Sequence, residues 1–176
     1  MPDSSVSRLS KKQLNQILLS ALGSAVTYIE DAEGNPLQID VNIPYKVQLR
    51  IYIYNCTNPP GGRTLGEYKI QPMIRGHQNG DKCHFDFSEN RIPLVVGYAQ
   101  ILGGVDDGVF VLWDAYKHDE FSFSANFQAK AQVIVDALST AVAQGTKTNG
   151  EVVVAAQSRH LLQAIAKRIE ISFSNT

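Results

Sequence analysis

Two stretches carry residue types suited to chemistry. The first is Arg63-Thr64-Leu65-Gly66-Glu67-Tyr68-Lys69-Ile70-Gln71 and the second is Trp113-Asp114-Ala115-Tyr116-Lys117-His118. Glu67, Tyr68 and Lys69 form an E-x-K triplet. On a strand, alternation sets Glu67 and Lys69 on one face, the arrangement a metal-dependent nuclease uses to hold a divalent cation and polarise water. Asp40 is the candidate second carboxylate for such a site. Trp113 beside Asp114 offers other chemistry. An aromatic plane stacks a nucleobase, and a neighbouring carboxylate accepts from the exocyclic amine of a flipped base. Tyr52, Tyr54, Tyr68 and Tyr116 are further stacking candidates, and His118 is a support for Asp114. Arg50, Arg63, Lys69, Arg75 and Lys117 are candidate phosphate contacts. Glu67 and Gln71 are placed to orient the loop or touch bases.

Other constellations fail on spacing. His77, Cys83, His84 and Cys56 lack the paired spacing of a zinc site. Gly103-Gly104 reads as a hairpin turn, since no helix opens behind it to hold a phosphate. No serine stands in a nucleophile-elbow context. The expectation is no metal, no cofactor and no catalytic activity in this chain alone.

The elements that position these residues follow from periodicity. Ser10 caps a helix over about residues 10–23, with Leu14, Ile17, Leu18, Ala21 and Leu22 at helical spacing. Val26–Glu30 and Leu37–Ile43 flank turn residues and read as a hairpin, closed off by Pro44. Val47, Leu49, Ile51 and Ile53 alternate with Gln48, Arg50, Tyr52 and Tyr54 in a half-buried strand. Asn55–Gly66 is a loop through Pro59-Pro60-Gly61-Gly62, and Glu67–Ile74 is an edge strand or bulge, because of Pro72. Arg75–Arg91 reads as a long loop or long-tipped hairpin. Ile92–Leu102 and Val109–Trp113 form a hairpin. Phe127 or Gln128 to Ala143 reads as a helix with Ala131, Val135, Leu138 and Val142 inward. Val152–Ala156 is a short strand, and Ser158 caps a last helix over about 159–169.

The 176 residues fit one domain with a sizeable core, and 44% hydrophobic with 19% charged residues is the balance of an ordinary globular chain. A formal charge of −1 excludes a binder that works by bulk basicity, so a nucleic-acid face needs locally clustered cations. No apolar run is long enough to span a membrane, and Met1–Lys12 lacks the order of a signal peptide. The expectation is a cytoplasmic protein in which Cys56 and Cys83 stay reduced.

The order I-Y-I-Y-N, G-G-R-T-L-G-E-Y-K-I-Q, V-F-V-L-W-D-A-Y-K-H and S-F-S-A-N-F-Q, over roughly residues 45–170, resembles the SRA-like domain of McrA-type modification-dependent restriction endonucleases. That domain is similar to the SRA and PUA-like group of DNA readers. The resemblance implies an α+β fold with a strongly curved, barrel-like sheet over about 26–170, flanked by helices. It also implies double-stranded DNA as ligand, with 5-methylcytosine or 5-hydroxymethylcytosine flipped into a pocket. Carried over, the family's R-x-x-x-E-Y-[RK]-I-Q pattern falls on Arg63, Glu67, Tyr68, Lys69, Ile70 and Gln71. The W/F-D-x-x-x-H pattern falls on Trp113, Asp114 and His118, and the serine-rich strand on Ser122, Ser124 and Asn126. The chain departs from the pattern at Gly66, where an acid is common, and at Lys69, where arginine would give a planar fork. It carries no H-N-H nuclease motif. The resemblance therefore implies a reader module of a phage-defence enzyme, with the nuclease domain or subunit in cis or in trans. The alternatives are a small nuclease using Asp40, Glu67 and Lys69, and a protein-interaction module of a defence complex.

Overall fold

The computed structural model describes residues 8–58, 66–101 and 104–174. Helix α1 spans Lys11–Leu22, and its start is fixed by a capping box. The Ser10 hydroxyl accepts from the Gln13 N–H at 3.2 Å, and the Gln13 side chain accepts from the Ser10 N–H at 2.8 Å. Leu14, Ile17, Leu18 and Leu22 form its buried face. Strands β1 (Val26–Ile29), β2 (Leu37–Ile43) and β3 (Tyr45–Asn55) follow as an antiparallel meander, with Pro44 at the second corner. Then come β4 (Glu67–Ile70), β5 (Lys82–Cys83), β6 (Ile92–Gln100), β7 (Gly108–Trp113), β8 (Phe121–Ser122) and β9 (Phe127–Lys130). Helix α2 (Ala131–Ala137), β10 (Ala143–Thr146), β11 (Val152–Gln157) and helix α3 (Leu161–Ser174) complete the order.

Seven strands build one mixed sheet in the order β1-β2-β3-β6-β7-β11-β10. Among the described residues only β3 and β6 pair in parallel, with Leu49 opposite Ile92 and Asn55 opposite Tyr98. The barrel implied by the resemblance does not form among the described residues. The sheet is open, with β1 and β10 as its edges. Both faces are covered, so the central strands are apolar on both sides. Alternation sends Leu49, Ile51, Ile53, Leu94, Val96, Phe110, Leu112 and Val154 toward α1 and α3. It sends Tyr52, Val95, Val111, Trp113, Val153 and Ala155 toward α2 and the two small ribbons.

Those ribbons arise from the sheet's connections. A parallel β3–β6 pair needs a crossover, and β4 and β5 lie within it. The segment between β7 and β11 crosses the same face and carries β8 and β9. The two excursions pair with each other: β4 with β9 and β5 with β8, all antiparallel. The stretch 75–91 therefore pairs outside itself rather than forming its own hairpin.

The helix expected from residue 127 or 128 to 143 is much shorter. Phe127 and Ala129 are buried while Lys130 is exposed, a period of two that suits pairing with β4. In α2 the inward residues are Val133, Ile134 and Ala137, and Val135 is 55% exposed. The Ser139 hydroxyl lies 3.4 Å from the Asp136 carbonyl, a back-bond of the kind that ends helices. No helix among the described residues is long and apolar enough to cross a membrane.

Candidate functional site

The W-D-x-x-x-H stretch ends β7 in a buried polar network. Trp113 is fully buried, and its indole N–H donates to the Gln128 carbonyl at 2.9 Å, so in this conformation it presents no face to a ligand. Asp114 is 3% exposed, and its carboxylate is occupied. Oδ1 accepts from the Tyr116 N–H at 3.0 Å and the Ser172 hydroxyl at 3.1 Å, and Oδ2 lies 3.3 Å from Arg168 Nη2. That last contact is a charge contact without hydrogen-bond alignment, since Nη2 has no bonded partner. Arg168 also donates to the Leu112 and Val152 carbonyls, and burial pulls its pKa down against the pull of Asp114 and Glu151. Glu151 accepts from the Asp114 N–H at 3.0 Å and from His118 Nε2 at 2.8 Å, and its other oxygen lies 3.3 Å from Lys147 Nζ. Burial opposes the Glu151 charge, but His118, the Asp114 N–H and Lys147 outweigh it and hold the carboxyl below its ordinary range. An ionised carboxylate only accepts, so the His118 proton on this side sits on Nε2. The His118 ring stacks on Phe127 at 4.0 Å.

The other two motifs come together. E-Y-K-I of β4 pairs with F-Q-A-K of β9, setting Glu67 opposite Lys130, Tyr68 opposite Ala129 and Lys69 opposite Gln128. Lys69 Nζ lies 3.3 Å from Asn126 Oδ1, and the Gln71 side chain donates to the Ser124 carbonyl at 2.9 Å. Ser124 has φ 63°, a left-handed conformation that a non-glycine residue adopts at some cost. The backbone of Lys69 also exchanges two 2.9 Å hydrogen bonds with Thr57, just past β3.

Between this ribbon and the start of α1 lies a cleft of ≈ 200 Å³, with Arg8, Lys11, Tyr54, Thr57, Lys69 and Gln71 in its walls. Lys11 Nζ sits 4.1 Å over the centre of the Tyr54 ring and donates to the Ile53 carbonyl. Burial pushes the Lys11 amine down to about 8. Asn55 ties the arm to the sheet, accepting from the Leu9 N–H at 2.9 Å and donating to the Leu9 carbonyl at 2.8 Å. Among the described residues, three cations and no carboxylate line the cleft. Walls of one sign focus the field and attract an anion.

Other expected site residues are scattered. Arg50 is 2% exposed: it donates to Gln38 at 2.7 Å, to the Asp86 and Ser88 carbonyls at 3.0 Å and to Glu89 at 3.1 Å. It anchors the 86–89 loop and, buried there, offers DNA no accessible face. Arg75 and Lys117 are exposed, as are Ser122 and Asn126. Tyr116 is 41% exposed, its ring 4.9 Å from Phe87 and 5.3 Å from Phe173. Tyr68 is half-buried. Arg63 lies outside the described residues. Asp40 is held by Arg91 at 3.1 Å and Lys46 at 3.5 Å on β2, in a different sheet from Glu67 and Lys69. Among the described residues, no group of three or more His, Cys, Asp or Glu side chains is placed to hold a metal ion. Cys56 and Cys83 are buried free thiols.

Sequence reasoning passed over Arg8, Lys11, Glu151 and Arg168. Two had a signal. Lys11 and Lys12 occupy the first turn of α1, where the helix dipole favours acids, so a cation there has another reason. Arg168 stands three residues after Ile165 on the inward side of α3, where a charge demands a partner.

A family model described as methylase-associated X1 matches residues 47–165. No curated protein and no solved structure matches the chain.

Proposed function

The chain belongs to the methylase-associated X1 family, and on that premise we propose that it is a double-stranded DNA-binding module of a restriction-modification system that senses a modified cytosine. The observation that carries the DNA contact is the cleft lined by Arg8, Lys11 and Lys69, with no carboxylate among the described residues of its walls, in a chain whose net charge is −1. A cation cluster of that kind is the local footprint a backbone binder needs when bulk charge supplies none. The β4–β9 ribbon continues that face through Gln71, Ser124 and Asn126, side chains able to touch phosphates, sugars or base edges. Arg63, Arg75 and Lys117 extend the backbone contact, and Glu67 orients the ribbon.

Recognition of 5-methylcytosine or 5-hydroxymethylcytosine rests on the motif order shared with SRA-like readers and on the methylase setting of the family, not on a barrel. In this reading Tyr116 and Tyr68 stack the flipped base, since both have accessible surface. Trp113, Asp114 and His118 hold the turn that carries Tyr116 from beneath. Cleavage or methyl transfer belongs to a partner in cis or in trans.

The test is a binding titration at moderate salt with one duplex carrying cytosine, 5-methylcytosine, 5-hydroxymethylcytosine or N6-methyladenine at a single position. The expected result is tighter binding to a modified cytosine, with the preference removed by Tyr116→Ala. Equal binding to all four would overturn modified-base reading and leave a backbone binder. No binding to any of them would overturn the DNA assignment itself.

A further inference from the structure

Which part of a strand enters the cleft beside α1 is decided by what its walls lack. A stacked base needs an open aromatic face, and the Lys11 ammonium already stands 4.1 Å over the Tyr54 ring. Among the described residues the charged side chains in its walls are all cations, so the cleft favours an anionic group over a neutral base edge. The volume of ≈ 200 Å³ is below the roughly 300 Å³ at which pockets for drug-sized ligands begin, so the cleft suits one small group. Its cations arrive from separate places: Arg8 from the segment before α1, Lys11 from the first turn of α1 and Lys69 from β4. Among the described residues none of the three forms an ion pair, so an anion that enters the cleft meets no competing carboxylate there.

We propose that the cleft is a phosphate site that takes one backbone phosphodiester of the bound strand, with Lys11, Arg8 and Lys69 as its cations. This rests on the nucleic-acid reading above and adds the group that is bound. The phosphate bridges two parts of the chain: Lys69 lies inside the family match over 47–165, while Arg8 and Lys11 lie outside it. The α1 arm therefore supplies cations that the matched segment does not.

Proton linkage follows. Burial holds the free Lys11 amine at about 8, and a phosphate beside it favours the charged form. The charged groups that share the cleft walls with Lys11, among the described residues, are Arg8 from the preceding segment and Lys69 from β4. Tyr54, on β3, has its hydroxyl pushed up by burial and stays neutral. Lys12, its neighbour on α1, is turned to Glu33 at 3.2 Å. Affinity is thus full below about pH 8 and is lost as Lys11 deprotonates above it, by about tenfold between pH 7 and pH 9.

The experiment has two readouts. Binding of one unmodified duplex is measured at pH 7, 8 and 9 for the unaltered chain, Lys11→Arg and Lys11→Met. In parallel, the Lys11 side-chain NMR signal is followed as inorganic phosphate is added. The expected results are a roughly tenfold fall in affinity for the unaltered chain, a flat profile for Lys11→Arg, a weak and flat one for Lys11→Met, and a phosphate-induced shift of the Lys11 signal. A pH slope that persists in Lys11→Arg, or a Lys11 signal that phosphate leaves in place, would overturn the phosphate site while DNA binding stands. Phosphate binding without duplex binding would overturn the strand as its ligand.

Discussion

Asp114 meets a demand set by Arg168, a guanidinium that is 1% exposed beneath it. Its carboxylate also caps the turn that carries Tyr116 and receives the Ser172 hydroxyl. Removing one partner of a buried pair leaves the other charge uncompensated, at a cost of about 3–5 kcal/mol. Asp114→Asn is therefore expected to lower the urea unfolding midpoint strongly, and Asp114→Leu combined with Arg168→Met to recover most of the loss. A base-edge reader would behave otherwise, with near-normal stability and lost discrimination between duplexes. That second pattern would reverse the assignment. The pairing was half legible in the sequence. The strand that ends at Trp113 and the last helix were visible. Nothing local connects position 114 to position 168, because the contact exists only once α3 lies across β7.

At the scale of elements, Gly97 decides how closely the β4–β9 ribbon lies on the sheet. A Cβ on Gly97 would stand 2.7 Å from Ile70 Cγ2, 2.9 Å from Cys56 Cβ and 3.0 Å from Trp113 Cζ3. Gly97→Ala therefore forces the ribbon outward, and overpacking of this kind costs about 1–3 kcal/mol. The expected outcome is lower stability in urea and faster hydrogen exchange at the Lys69 and Thr57 amides, which bond to each other across the ribbon's edge. Unchanged exchange there would mean that the core yields elsewhere and the ribbon is not seated by this contact. The Ser10 cap of α1, the β1–β2 and β6–β7 hairpins and the alternation of β3 were all readable from period and turn chemistry. The ribbon was not. F-Q-A-K carries only four residues of alternation and runs directly into α2, so the helical period of α2 absorbed it. Its true partner, E-Y-K-I, lies some sixty residues earlier.

Across the whole molecule, the near-balance of 16 basic and 17 acidic residues conceals a division of labour. Some cations are held by the fold: Arg50 by Asp86 and Glu89, Arg91 by Asp40, and Arg168 by Asp114. Others line the cleft with no carboxylate beside them among the described residues, and Arg75 and Lys117 stand exposed. From sequence alone Arg50 looked equivalent to Lys69, Arg75 and Lys117 as a phosphate contact, because burial and pairing are properties of the folded chain. The distinction can be measured by salt. Each phosphate neutralised contributes about −0.9 to the slope of log affinity against log salt. Lys69→Ala is expected to weaken duplex binding at every sequence and make that slope shallower by about 1, and Arg75→Ala to do the same if the strand runs past the ribbon. Arg50→Met leaves the slope of the folded protein as it was, since the Arg50 guanidinium is buried against Gln38 and the 86–89 loop. A slope that responds to Arg50 and ignores Lys69 would move the DNA face from the α1–β4 cleft to the 86–89 loop. Equal slopes in all three variants would place it on cations outside both.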